Sequence, residues 1–155
     1  MKVLIQGLGE VPATIEFALE TEKPDVTHII CSEYQMKNIS SGGGYTEPSQ
    51  VVVENAAKKS NTKIVWETCD IFDVRSVGDA VARVFGQIKT GDEVIINYTG
   101  GAASVKLLLG ASAVVLSRIM PIRIIYALRY KGGTEVFKDQ TEDLKAIFKQ
   151  LYEFF

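Results

Sequence analysis

Apolar and polar residues alternate in blocks along the chain, and the blocks predict strands and helices in turn. Short apolar runs rich in β-branched residues predict strands, because such runs lack helical spacing and end at turn residues. The predicted strands span residues 2–6, 26–31, 63–67, 93–97 and 121–128, with a short extra strand at 134–137 after a turn at 131–133.

Helices are predicted between these strands, where apolar residues recur every three or four positions. Pro12 and Pro48 each stand in the first turn of a helix, where the missing N–H of proline breaks no hydrogen bond. Asp139 and Glu142 have the spacing of a capping box at the start of the last helix. The predicted helices span 12–20, 48–59, 73–88 and 102–118, followed by a last helix with the apolar face Leu144, Ile147, Phe148, Leu151 and Phe154.

This alternation continues over all 155 residues, so we expect one α/β domain with a mostly parallel sheet and helices on both faces. The strands are almost continuously apolar, as is typical of strands buried on both sides. One connection, 32–47, is long and contains the run SSGGG at 40–44. Connections of that length are usually functional, so we expect this one to border a ligand site.

Composition excludes several classes of function. The chain is 46% hydrophobic and its net charge is −2, so no global positive field is present to hold duplex DNA or RNA, although a small anion is still an acceptable ligand. The longest apolar stretch, 107–116, is too short and too interrupted to span a membrane, and we expect a cytoplasmic protein. Cys31 and Cys69 are predicted to be reduced core thiols.

Ligands of open α/β sheets bind beyond the carboxyl ends of the strands, where the strand order reverses. Two of the predicted ends carry glycine turns before a helix, at 7–10 and at 98–101. Backbone N–H groups in such turns can face an anion, although glycines also occur simply to close tight turns. The first turn has Pro12 where the dinucleotide motif has its third glycine, so nicotinamide redox chemistry and NTP hydrolysis are both weakly supported.

Candidate catalytic side chains are few. His28 is the only histidine and lies in an apolar strand, which favours a core histidine with satisfied hydrogen bonds. Asp70 and Asp73 are candidate metal ligands, but capping of the next helix by Asp73 is the favoured interpretation. Lys106 has the position to reach a phosphate or to be simply solvated, and the sequence leaves both open. We expect no metal and no cofactor.

The segment from Asn97 to Gly101 (NYTGG) before a helix, and GLGEVP at 7–12, resemble the motifs of the CARF domain. CARF domains are CRISPR-associated Rossmann-fold sensors of cyclic oligoadenylates. The resemblance implies a homodimer that binds one ring, often cyclic tetra-adenylate, across its two-fold axis. The ligand-binding residues it implies are Gly7, Leu8, Gly9, Glu10, Ser32, Tyr34, Asn97, Tyr98, Thr99, Gly100, Gly101 and Ser104, with Tyr34 and Tyr45 as candidates for stacking on adenines.

Some CARF proteins are ring nucleases, in which a ribose 2′-hydroxyl attacks the neighbouring phosphate without a metal. The resemblance implies Thr99 and Lys106 as the catalytic residues, with Ala102 and Ala103 standing where many members have Thr-Lys. A chain without an effector segment resembles a ring nuclease or a regulator, and whether this chain cleaves the ring stays open. The alternatives are a nucleotide- or cofactor-using Rossmann-like enzyme of another class and a non-catalytic interaction domain.

The helix at 104–117 is apolar nearly all round, with Val105, Leu108, Leu109, Val115 and Leu116 among small residues. Such a helix is expected to be buried on most sides, either by its own chain or by the sheet together with a partner subunit.

Overall fold

The computed structural model describes residues 1–129 and 135–154, which form a six-stranded sheet flanked by helices. The strands are β1 (Lys2–Gly7), β2 (Val26–Cys31), β3 (Lys63–Thr68), β4 (Glu93–Asn97), β5 (Ile122–Arg129) and β6 (Glu135–Asp139). The helices are α1 (Ala13–Glu22), α2 (Glu33–Lys37), α3 (Ser49–Ser60), α4 (Val74–Phe85), α5 (Ala103–Leu116) and α6 (Thr141–Phe154).

The strand order is β3-β2-β1-β4-β5-β6, with every pairing parallel except that of β5 with β6. The chain moves outward from β1 to β3, crosses back to β4 beside β1, and then moves outward in the other direction. The strand order therefore reverses between β1 and β4, where Gln6 lies directly opposite Asn97. This reversal is the position at which an open α/β sheet leaves a crevice for ligand.

Each face of the sheet has its own apolar core. Leu4, Ile29 and Ile95 lie on one face and pack against α1 and α3. Ile5 and Ile96 lie on the other face, where α4 and α5 cover them and α6 packs against α5 and β5. Because the central strands are covered on both sides, their apolar residues follow one another without alternation. The predicted fold class, a mostly parallel α/β sheet with helices on both faces, is therefore confirmed.

Two segments contain more structure than the sequence pattern predicted. The connection 32–47 begins with the short helix α2, and Ile39 pairs with Pro48 as an isolated antiparallel bridge. The short extra strand exists as β6, pairing antiparallel with β5, although Thr134 and the predicted turn at 131–133 lie outside the described residues.

The two helices after β4 are less buried than predicted. On α5, Val105 and Leu109 are fully buried, but Leu107 is 68% exposed and Val115 is 55% exposed. On α6, Leu144 and Phe148 pack against the core, whereas Ile147 and Leu151 are half exposed, and the side chain of Phe154 lies outside the described residues. Of the two alternatives for α5, burial by its own chain alone is wrong, because only the stripe facing the sheet is covered, and burial by the sheet together with a partner subunit stays a prediction.

The structure confirms one of the two predicted helix caps in full and the burial of one of the two cysteines. The Asp73 carboxylate accepts the Arg75 backbone N–H, which confirms the predicted helix cap. Asp139 accepts the N–H and hydroxyl of Thr141 at the start of α6, but Glu142 pairs with Lys145 rather than completing a capping box. Cys31 is buried as predicted, and burial raises its thiol pKa to about 12, while Cys69 is only partly buried.

His28 is buried in the core as predicted, but its hydrogen bonds are not satisfied. Among the described residues, no group makes a hydrogen bond to its Nδ1. Burial lowers the pKa of His28 below its usual value of 6.5, and this outweighs the opposite effect of the Glu67 carboxylate. The folded protein therefore holds a neutral imidazole at neutral pH.

This neutral histidine makes stability depend on pH. In the unfolded chain His28 takes up a proton as the pH falls through about 6.5, whereas the folded protein does so only at lower pH. We expect the free energy of unfolding, measured with urea, to decrease from pH 7.5 to pH 5.5. A His28→Asn variant, which has no titrating group at this position, should show a flatter profile. Equal slopes for the two proteins would contradict the assignment.

Candidate ligand-binding site

Two glycine turns meet at the point where the strand order reverses. A Cβ atom placed on Gly7 would lie 2.8 Å from the carbonyl oxygen of Gly100 and 2.9 Å from the Val105 Cγ1 atom. A Cβ on Gly100 would lie 2.9 Å from the carbonyl oxygen of Gly7. Real Cβ atoms do not tolerate such distances, so the β1–α1 and β4–α5 turns approach each other backbone to backbone only because both positions are glycine.

The second glycine of the β4–α5 turn is required by its backbone conformation as well. Gly101 has φ 108°, a left-handed value that side chains strongly disfavour. Its amide nitrogen lies 3.2 Å from the position that a Cβ on Gly9 would occupy. For these glycines the structure therefore supports more than a simple tight turn, because their lack of side chains lets two separate turns pack main chain against main chain.

Asn97 holds the β4–α5 turn through a chain of buried polar side chains. Its Oδ1 accepts the Thr99 backbone N–H at 3.2 Å and the Thr99 hydroxyl at 2.7 Å. Its Nδ2 donates to Gln6 Oε1 at 3.1 Å, and Gln6 Nε2 donates to the Thr27 hydroxyl at 3.1 Å. This row of hydrogen-bonded side chains runs across β2, β1 and β4 beneath the glycine turns. It satisfies polar groups whose burial would otherwise be costly.

Thr99 connects the same turn to the neighbouring strand. Its hydroxyl oxygen accepts the Ala127 backbone N–H at 2.8 Å while its proton is donated to Asn97. Both hydrogen-bonding roles of the hydroxyl are therefore occupied within the protein. In this geometry Thr99 positions the turn, and its predicted catalytic role stays a prediction.

Two of the helices that begin at this edge start without a side-chain cap. The residues before α1 and α5, Pro12 and Ala102, make no capping hydrogen bond through their side chains. By contrast, Ser32 caps α2 and Asp73 caps α4. The first N–H groups of any helix lack intrahelical acceptors and carry the positive end of its dipole. The 7–10 and 98–101 turns meet at Gly7 and Gly100, a contact that we call the glycine crossing. The two uncapped helix starts lie on either side of it, so this end of the sheet is a favourable environment for an anion.

The connection 32–47 borders the crevice on the α1 side. The Tyr45 hydroxyl donates to the Glu16 carboxylate on α1, and Gly42 lies close to the Val11 side chain. Ser32 is occupied by its capping hydrogen bonds with Gln35, and Tyr34 is 75% exposed at the start of α2. The predicted flanking residues are therefore near the edge of the sheet, with Tyr34 unobstructed and Ser32 engaged in local structure.

Several other predicted site residues have side chains directed elsewhere. Leu8 is fully buried in the core, so only its main chain can face the crevice, whereas Glu10 is exposed there. The Tyr98 hydroxyl bonds to Gln140, with its ring against Tyr126, and the Ser104 hydroxyl donates to the Ile71 carbonyl at 2.8 Å. Lys106 is exposed on α5, and within the described residues it forms no ion pair.

Two polar residues beside the glycine turns were not among the residues predicted from the sequence. Gln6 was read as part of an apolar strand, although a fully buried glutamine opposite Asn97 forms the centre of the polar chain. Thr14 lies in the first turn of α1, with its hydroxyl oxygen 3.3 Å from the position of a Cβ on Gly100. A polar residue inside an apolar strand and a threonine just after Pro12 were the available signals, and only the fold brings each to the crevice.

A cavity of about 740 Å³ lies at the opposite edge of the sheet, lined in part by Glu93, Arg123 and Asp139. The guanidinium group of Arg123 already has hydrogen-bond partners, because it donates to both carboxylate oxygens of Glu22 and to Asp139. This cavity lies at the amino ends of β4 and β5, away from the glycine turns. This large cavity therefore does not coincide with the predicted ligand-binding residues.

Comparison with known proteins identifies solved structures that share this fold. Enterococcus italicus Csm6 bound to cyclic hexa-2'-fluoro-hexa-dAMP matches over 97% of this chain and 45% of its own, with a TM-score of 0.66 and 15% identity. Can2 from Sulfobacillus thermosulfidooxidans in complex with cyclic tetra-adenylate matches over 88% of this chain and 36% of its own, with a TM-score of 0.58 and 12% identity. This chain therefore spans less than half the length of either protein.

No protein-family model matches the sequence, and no curated protein matches it. At 12–15% identity the structural likeness concerns the fold. It confirms the predicted Rossmann-like class and agrees with the CARF resemblance at the level of the fold. Within the described residues, every helix is too short or too polar to cross a membrane.

The close approach at the glycine crossing leads to a prediction about the free energy of unfolding. We expect Gly7→Ala to lower the free energy of unfolding by about 1–3 kcal/mol, because the new methyl group overlaps the Gly100 carbonyl and the Val105 side chain. Gly110→Ala, in the middle of α5, is the matched control. A Cβ there meets nothing within 4 Å, so this variant should be more stable by about 0.5–1 kcal/mol. Urea unfolding of both variants tests the pair, and an unchanged Gly7→Ala protein would contradict the close approach.

Proposed function

We propose that this chain is a CARF domain that binds a cyclic oligoadenylate at the crevice between β1 and β4, as part of type III CRISPR signalling. The observation that carries the proposal is the meeting of two uncapped helix starts, α1 and α5, at a crossing built from glycine main chain. Such a crevice offers backbone N–H groups to phosphates and needs few charged side chains.

The electrostatics of the chain agree with this manner of binding. With a net charge of −2, the chain has no global positive field to attract a nucleic acid. Attraction is expected from local dipoles, from the hydroxyl of Thr14 beside Gly100 and from the exposed ammonium group of Lys106 on α5. The exposed carboxylate of Glu10 is unsuited to a phosphate but can accept a hydrogen bond from the 6-amino group of an adenine.

The two structural neighbours support the ligand class. Both are solved with a cyclic oligonucleotide of adenylate type, which has six nucleotides in Csm6 and four in Can2. The shared fold and the expected ligand edge make the same class the best candidate for this chain. The two rings differ in size, so the neighbours do not decide between them. The family resemblance makes cyclic tetra-adenylate our first choice, and the hexa-adenylate is the second.

The exposed surface of α5 supports a homodimer. Leu107, Ala111 and Val115 are exposed and follow one another at four-residue spacing, so they form one apolar stripe along the helix. Ile119, just beyond the helix, is 80% exposed and extends this stripe. Two copies that pack along the stripe about an axis parallel to α5 would have both α5 amino ends at the same edge. One ring would then be held by two sets of glycine turns.

Ring cleavage by Thr99 and Lys106 is a further part of this proposal that follows from the family resemblance. In-line attack by a ribose hydroxyl needs a held geometry and stabilised charge at the phosphate. Thr99 contributes by fixing the β4–α5 turn, and Lys106 is a cation on the helix that begins at that turn. We therefore assign Thr99 a positioning role and Lys106 the charge-stabilising role in any cleavage.

The first test is isothermal titration of the purified protein with cyclic tetra-adenylate. We expect saturable binding at one ring per two chains, because each chain offers half of a two-fold site. Cyclic hexa-adenylate, titrated in parallel, identifies the preferred ring size. Failure of both rings to bind would contradict the proposed function and favour a nucleotide enzyme of another class.

A second test separates binding from folding by placing a carboxylate at the amino end of α5. Ala103 is exposed at the first position of this helix, where a glutamate interacts favourably with the dipole. We expect Ala103→Glu to fold at least as stably as wild type but to bind the ring about tenfold or more weakly, because its charge repels phosphates. Asn55→Glu on α3 adds the same charge at an exposed position away from the crevice. Equal affinity of the two variants would contradict the assigned phosphate site.

A further inference from the structure

Phe72 is an exposed aromatic residue that none of the roles described so far explains. Its side chain is 95% exposed, the highest value among the large apolar side chains of the described residues. It lies in the turn between β3 and α4, at the carboxyl edge of the sheet. Single exposed apolar residues are common on surfaces, so exposure needs a second observation before it indicates a contact.

The second observation is that hydrogen bonds hold the backbone of the turn that carries Phe72. The Phe72 backbone N–H donates to Asp70 Oδ1 at 3.0 Å, and the Asp73 N–H donates to the Asp70 carbonyl at 3.1 Å. The Asp70 N–H in turn donates to the Ser76 hydroxyl on α4 at 2.9 Å. Because the main chain of this turn is already held, binding through the Phe72 ring does not have to order the backbone as well, which lowers the entropic cost of recognition.

The turn is also joined to the proposed ligand site. The Ser104 hydroxyl, in the first turn of α5, donates to the carbonyl of Ile71, the residue before Phe72. The Ile71 side chain packs in the same apolar cluster as Ala102, which precedes α5. The β3–α4 turn therefore lies against the amino end of α5, where we place the ring phosphates.

The charge of the turn determines which part of a nucleotide suits it. Asp70 and Asp73 stand on either side of Ile71 and Phe72, and both carboxylates already accept backbone N–H groups. Two negative charges disfavour a phosphate beside Phe72. They do not disfavour the neutral face of a base, and the electron-poor 6-amino edge of adenine is attracted to carboxylates.

We propose that Phe72 is a base-stacking residue that holds an adenine of the bound cyclic oligoadenylate while the α5 amino end holds the adjoining phosphate. The inference rests on the proposed function and adds to it a specificity element on β3–α4. It explains why a fully exposed phenylalanine stands on a turn anchored to the phosphate site. Stacking of one base on an aromatic ring changes affinity by roughly 5- to 150-fold.

The test is isothermal titration of wild type, Phe72→Ala and Phe72→Leu with cyclic tetra- and hexa-adenylate. We expect Phe72→Ala to bind the preferred ring about 5- to 100-fold more weakly. Phe72→Leu should lose most of the same affinity, because leucine keeps apolar area but has no aromatic face. Tyr152→Ala is the matched control, since Tyr152 is an exposed aromatic residue on α6 beside Arg118, at the other edge of the sheet. It should bind as wild type does.

A spectroscopic measurement reports stacking directly. Phe72→Trp places an indole on the turn, and a stacked adenine should quench its emission on ring binding. The wild-type protein, with Trp66 as its only tryptophan, gives the reference signal. Circular dichroism of the variants checks that they fold, which the exposure of Phe72 leads us to expect.

The outcomes separate the two proposals. Ring binding by wild type with Phe72→Ala unchanged within twofold would overturn the stacking role and leave the proposed function intact. No binding of either ring by wild type would overturn both. If light scattering shows that Phe72→Ala turns a dimer into a monomer, Phe72 packs against a second copy and the stacking role is overturned.

Discussion

The close contact between the β1–α1 and β4–α5 turns is the constraint on which the proposed ligand site depends. Gly7 and Gly100 approach so closely that neither has room for a Cβ atom. This contact occurs where the strand order reverses, because β1 and β4 are neighbours there and their following helices leave toward opposite faces. The result is a crevice floored by main chain, with two helix amino ends beside it.

A floor made of main chain needs support from below, and buried polar side chains supply it. Asn97, Gln6 and Thr27 connect three adjacent strands, and Thr99 extends the chain of hydrogen bonds to β5. Each member of this chain satisfies its neighbour, so removing one leaves a buried donor or acceptor unpaired. The buried side chains therefore hold the main chain of the glycine turns in a fixed geometry.

The surface around the crevice is uneven in a way that suits a shared ligand. One side of α5 is buried against the sheet, while the stripe through Leu107 and Val115 is open to solvent. The β3–α4 turn presents Phe72, and α2 presents Tyr34, at the same edge of the sheet. Apolar and aromatic groups that a monomer leaves exposed near a polar crevice are suited to bases and to a second subunit.

The alternation of strands and helices could be read from the order of residues alone, because the period of apolar residues depends only on local geometry and burial. The segments 7–10 and 97–101 could be predicted to be glycine turns that precede helices, since glycines before a helix are a local signal, and their ligand role stays a prediction. Only the tertiary structure decided that Gly7 and Gly100 touch, that Gln6 joins Asn97, and that Ser104 anchors the turn of Phe72. These contacts join residues 30 or more positions apart, and no local pattern of residues encodes which distant segments the sheet order brings together.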